Sequence, residues 1–171
     1  AEALVSFSPF PVLVAGPECV APEKMAQILF PTSLSKESTK TFSALVDWAK
    51  SQKAELTLYH LQDPLPPATL NAQVTELWEK QMKHDRDQAK RWQQEAELRG
   101  IHCRLQFETQ VAEVGERILT AAKVAHADLI VMDHRYESAG PSLFNRQMRM
   151  VLAESRCPVL VVKKSRSGKK D

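Results

Sequence analysis

Apolar residues in this chain fall into short unbroken runs, separated by longer stretches in which they recur every three or four positions. Ala127-Asp-Leu-Ile-Val-Met-Asp133 and Cys157-Pro-Val-Leu-Val-Val162 are the clearest runs, rich in Val, Leu and Ile. Strands covered on both faces read this way, whereas a half-exposed antiparallel strand alternates with polar residues. Ile28-Leu-Phe30 before Pro31, Ala54 to His60, and Ile101 to Phe107 are further strands. Helical spacing fills the gaps. Phe42, Leu45, Val46 and Ala49 share one stripe, for which Ser33 to Ser38 offers N-cap candidates. A longer stripe from Leu70 through Val74, Leu77, Trp78, Met82, Ala89, Trp92 and Ala96 is broken only at Asp85 and stops at Gly100. Val111 to Ala125 and Leu143 to Glu154 read as the last two helices, and Asp63-Pro-Leu-Pro-Pro67 continues neither element.

Strand and helix alternate throughout, which predicts an α/β fold with a doubly wound, five-stranded parallel sheet and helices on both faces. In such sheets the ligand crevice lies outside the carboxyl ends of the strands. The loop leaving Asp133, from His134 to Asn145, is therefore the first place to look for a site.

Composition narrows the function classes. A chain of 171 residues suits one ordinary domain, and a formal charge of +2 with both signs mixed along the helices gives no case for nucleic acid as a partner. The polar face of the long helix, Glu76 to Glu95, reads as solvated. The three cysteines, Cys19, Cys103 and Cys157, have no metal-ligand spacing and are odd in number, which fits a reduced, cytoplasmic setting and no metal site. Cys103 and Cys157 lie in or beside apolar strands, where a free thiol packs as a small hydrophobe. No apolar run approaches the roughly 20 residues a membrane helix needs, so no membrane insertion is expected. Neither a nucleophile with its base nor a strand-turn-helix elbow can be picked out, so the chain does not read as an enzyme.

Four runs in this order and spacing, Ile28-Leu-Phe-Pro-Thr32, Ala54-Glu-Leu-Thr-Leu-Tyr-His60, Ala127-Asp-Leu-Ile-Val-Met132 and Cys157-Pro-Val-Leu-Val-Val162, resemble the signature strands of the universal stress protein family. The resemblance covers about Ala26 to Lys163. It implies a sheet of order 3-2-1-4-5, a cytoplasmic role in a stress response, and dimerisation through the last strand. The chain then divides into an N-terminal arm at 1–25, a universal stress protein domain at 26–165 and a disordered basic tail at 166–171.

ATP-binding members of that family follow the fourth strand with glycine, two residues, glycine, about nine residues, then glycine and Ser or Thr. Glycines let backbone N–H groups approach phosphate oxygens with no Cβ in the way, and the hydroxyl adds a donor at the helix start. The matching positions here hold Asp133 and Tyr136, then Asn145-Arg146 or, with one residue of slippage, Arg146-Gln147. Asp133 adds negative charge where phosphates would lie. Thr32 is kept, but Ser33 stands where binders place an Asp that contacts the ribose or base. The resemblance therefore implies a module with no cofactor, which does not bind ATP and acts through dimer or tandem-domain pairing. The alternative is a nucleotide- or anion-sensing regulatory domain within a larger transporter or effector, with His134, Arg135, Arg146 and Arg149 as side-chain donors in a remodelled loop. His60, at the end of its strand, reads as a hydrogen-bonded structural histidine.

Ahead of the domain, Phe10-Pro-Val-Leu-Val-Ala-Gly16 echoes Cys157-Pro-Val-Leu-Val-Val-Lys163. In the family such a strand closes a domain, which suggests the tail of a preceding domain in a tandem protein. A processed or tagged protein with an unusual arm is the competing explanation. Either way, an antiparallel ladder of Pro11, Val12, Leu13 and Val14 with Pro158, Val159, Leu160, Val161 and Val162 is expected, within the chain or from a neighbouring copy, because an apolar sheet edge must be covered.

Overall fold

The computed structural model describes residues 5, 8–62, 64, 72–109, 113–134 and 146–163. In chain order these form β1 (Val12–Val14), β2 (Gln27–Pro31), α1 (Ser38–Gln52), β3 (Glu55–Gln62), α2 (Ala72–Leu98), β4 (Cys103–Thr109), α3 (Val114–Val124), β5 (Leu129–His134), α4 (Arg146–Glu154) and β6 (Val159–Lys163). They build one six-stranded sheet in the order β1-β6-β5-β2-β3-β4. β2 to β6 are parallel to one another and, counted among themselves, follow the expected order 3-2-1-4-5. β1 alone is antiparallel, pairing Val12 with Val161, Leu13 with Leu160 and Val14 with Val159. The extra strand is thus held within the same chain.

The unbroken apolar runs are explained by two cores, one on each face of the sheet. Along β2, Ile28 and Phe30 pack with Phe42, Val46 and Trp92 of α1 and α2, whereas Leu29 between them packs with Ile118, Val151 and Leu152 of α3 and α4. Successive strand residues point to opposite faces, so a strand buried on both sides has no polar phase. Trp92 anchors the first core, with its ring stacked on Phe42 at 4.6 Å between centroids and on Phe30 at 6.5 Å. Chain reversals sit where the backbone permits them: Gly100 ends α2 with φ of 84°, and Lys53 ends α1 in the left-handed region, its N–H donating to Ala49 O and Lys50 O.

Several element ends differ from the sequence reading. β5 continues through Asp133 and His134, because both still find ladder partners in Val162 and Lys163 of β6, so these two residues are strand rather than loop. β4 runs from Cys103 to Thr109, paired at every position with β3 from Leu56 to Gln62. The N-cap of α1 is Glu37, not a serine. Ser35 and Ser38 instead bring their hydroxyls to 3.1 Å of each other, and the Ser38 N–H donates to the Ser35 carbonyl. One long-range tie aligns the sheet: the Asp128 carboxylate, just before β5, accepts the N–H groups of Ala26 and Gln27 at 2.9 Å each.

Candidate functional site at the carboxyl edge of the sheet

β2, β3, β4 and β5 end side by side, and this carboxyl edge is where a doubly wound sheet places its crevice. Thr32 leaves β2 with three internal contacts. Its N–H donates to Tyr59 O at 2.9 Å, its Oγ1 accepts the Leu34 N–H at 3.1 Å, and its carbonyl lies 2.9 Å from His60 Nδ1. The Oγ1 contact closes a tight turn that puts Leu34 at φ of 55°, buried in the core, and leaves Ser33 exposed at the rim.

His60 continues the network into the α2 layer. Its Nε2 stands 3.5 Å from Asp85 Oδ2, and Asp85 Oδ1 accepts from Gln81 Nε2 at 2.8 Å. Phe107 of β4 meets the imidazole edge-on at 5.7 Å. Both ring nitrogens therefore face oxygen atoms. The break at Asp85 in the α2 stripe was the sequence signal for this pair, since a carboxylate at a core position needs a partner. Two residues further along β3, Gln62 buries its side-chain amide nitrogen without a hydrogen-bond partner among the described residues.

On the other face, Tyr59 donates to Glu108 Oε2 at 2.6 Å, and Arg117 of α3 donates to the same oxygen at 2.6 Å from NH2 and 3.1 Å from Nε. Burial, and then the Glu108 contact, push the Tyr59 hydroxyl well above its ordinary range. The Tyr59 hydrogen bond, with Arg117 behind it, holds Glu108 below the usual carboxylate range. This cluster ties β3, β4 and α3 together.

The residues singled out in the sequence are only partly brought together. Both carboxylate oxygens of Asp133 are out of solvent contact at the end of β5. Arg146, at the start of α4, is 77% exposed and forms an ion pair with Glu113 at 3.1 Å. Arg135, Tyr136 and Asn145 lie outside the described residues, as does the basic tail. No glycine stands at the end of β5, and the residue after Thr32 carries no carboxylate.

A second candidate is the β1 and β6 edge. Val12 and Val14 point into the α3 and α4 layer and are 8% exposed, while Leu13 between them is 53% exposed. Val5 adds a fully buried side chain from the arm. Gly16 approaches α4 so closely that a Cβ there would lie 2.5 Å from Leu152 O. Beyond it, a turn closed by the Cys19 N–H on Gly16 O leads to Val20, whose N–H donates to Arg156 O at 2.9 Å.

The sequence matches the universal stress protein family over residues 25–163. The chain belongs to that family. Its fold is similar to that of universal stress protein UspA from Lactobacillus plantarum, at 20% identity and a TM-score of 0.64, covering 82% of this chain and 99% of that one. A universal stress protein from Archaeoglobus fulgidus matches at 16% identity and a TM-score of 0.67. That match takes in 98% of this chain, hence the arm as well, but only 54% of the other. Another universal stress protein from the same organism, solved in complex with dAMP, matches at 13% identity and a TM-score of 0.54, covering 81% of this chain and 98% of that one. A search of curated proteins finds no match. Among the described residues, no helix of this universal stress protein is long and apolar enough to cross a membrane.

Proposed function

We propose that this universal stress protein domain works without ATP and acts in a stress response by pairing with another such domain on the β1 and β6 side of its sheet. The observation that carries this reading is the antiparallel ladder of Val12 to Val14 on Val159 to Val161, made by two nearly identical strings. β1 holds the place that the last strand of a second domain takes in the family arrangement, and it does so through backbone pairing that any such strand can reproduce. The relative from A. fulgidus that takes in the arm is nearly twice as long as this chain, which fits a two-domain setting. At the crevice, Thr32 engages its N–H, its carbonyl and a hydroxyl lone pair with internal partners, and Arg146 pairs with Glu113.

Two measurements test the reading. Deleting residues 1–17 should convert the protein to a dimer or larger species on light scattering, as an uncovered β6 edge seeks a strand; an unchanged monomer would sink the pairing role. Titration calorimetry with ATP, ADP and AMP, with and without magnesium, should give no heat of binding. Micromolar affinity would favour the second reading, a nucleotide- or anion-sensing domain, for which the dAMP complex of the more distant relative is the supporting observation.

A further inference from the structure

Cys19 and Cys157 are far apart in sequence, but their chain neighbours touch. The hydrogen bond from Val20 N–H to Arg156 O, at 2.9 Å, joins the peptide that follows Cys19 to the peptide that precedes Cys157. Standard covalent geometry then limits the separation of the two Cα atoms to about 8 Å. A disulfide needs about 4.4–6.8 Å, so at most a small closure of the arm is required. We propose that Cys19 and Cys157 form a paired-thiol oxidation site whose disulfide fastens the N-terminal arm to the start of β6.

The two thiols have different surroundings, and these assign their roles. Cys19 is half-exposed on the arm, whereas Cys157 is buried beside Ser155. Ser155 Oγ commits its single proton to Cys157 O at 2.7 Å, so at 3.6 Å from Sγ it is the acceptor for the Cys157 thiol proton. Burial raises Cys157 above the ordinary thiol range and keeps it protonated until it is called on. Cys103 is buried on the opposite face of the sheet and has no part in the pair.

The co-reactant is a peroxide. Cys19 sulfur attacks one oxygen of hydrogen peroxide, the O–O bond breaks, and the departing hydroxide leaves as water with the Cys19 proton, giving a sulfenic acid. Cys157 sulfur then attacks Cys19 sulfur; the S–S bond forms, the S–O bond breaks, and the hydroxide leaves as a second water with the Cys157 proton. Two electrons pass from the two thiols to the peroxide in all. A cavity of about 370 Å³ beside Cys157, lined also by His126, Glu154, Ser155 and Arg156, gives solvent an approach to the buried sulfur.

The closed bond would hold β1 on β6 and deny that edge to a second copy. This consequence rests on the pairing role proposed above, but the linkage itself does not. The test treats the full chain with hydrogen peroxide and maps tryptic peptides without reduction. Residues 1–24 and 157–163 should appear as one linked species, formed within a monomer, about 2 Da below the sum of its parts and separated by dithiothreitol. Cys19→Ser and Cys157→Ala should each abolish it, and Cys103→Ser should leave it intact. Cys19 over-oxidised beside an untouched Cys157 thiol, or joined to Cys19 of a second copy, would overturn the proposal. A linked peptide together with a monomeric deletion of residues 1–17 would overturn only the pairing role.

Discussion

Replacing Gly16 with alanine should release the arm from the domain. The backbone there is outside the left-handed region, so the substitution tests space alone. An added Cβ would stand 2.5 Å from Leu152 O, a backbone atom of α4 that cannot rotate away. Contacts between carbon and a carbonyl oxygen start above about 3.2 Å, and overpacking of this kind costs about 1–3 kcal/mol. The upper part of that range applies because the clash is with helix backbone, so about 2–3 kcal/mol is lost from arm docking, a factor of roughly 30 to 150 in its opening equilibrium. Amide hydrogen exchange should read this directly. Exchange of the β1 amides, and of the β6 amides that face them, should accelerate by that factor while β2, β3 and β4 keep their wild-type protection. Unchanged exchange in β1 would refute the steric reasoning. Uniform acceleration over all strands would refute the arm as a separately opening unit.

Further outcomes follow from other contacts. Burial pushes the Cys103 thiol up to about 12, so a disulfide reagent should leave Cys103 unlabelled in the native chain and reach it only after unfolding. Asp128→Ala removes the acceptor for the Ala26 and Gln27 N–H groups and should lower stability by about 1–3 kcal/mol in denaturant unfolding, with no change in m-value. Glu108 has a lower pKa folded than unfolded, so its contribution is present above about pH 4.3 and is lost as pH falls through the folded value. The stability gap between wild type and Glu108→Gln should therefore narrow on acidification below that point. Tyr59 shifts the other way. Its stabilisation is complete below about pH 10 and fades at higher pH, where the unfolded chain ionises first, and Tyr59→Phe should flatten that alkaline decline in thermal melts.

Much of the fold was legible because burial on both faces leaves a mark in one dimension. A strand such as Leu129 to Met132 has no polar phase, and a helix such as α2 carries its apolar residues on one stripe. Alternation of those two patterns determines an α/β sheet, and the spacing of four such runs pointed to the family. The echo of the arm in the last strand likewise announced a ladder. The same patterns are silent about partners. Periodicity says which side of an element is covered, but not what covers it, because any apolar strand offers the same backbone groups to any other. Only the tertiary structure decided that β1 lies on β6 of its own chain, that β5 runs on through Asp133 and His134, and that Arg146 spends its charge on Glu113. Polar contacts across long separations are the least legible of all. Asp128 reaches Ala26 over 102 residues, Asp85 answers His60 from another element, and Cys19 is brought towards Cys157 by a hydrogen bond between their neighbours. Each depends on the relative placement of packed elements, which the order of residues encodes only through the whole fold.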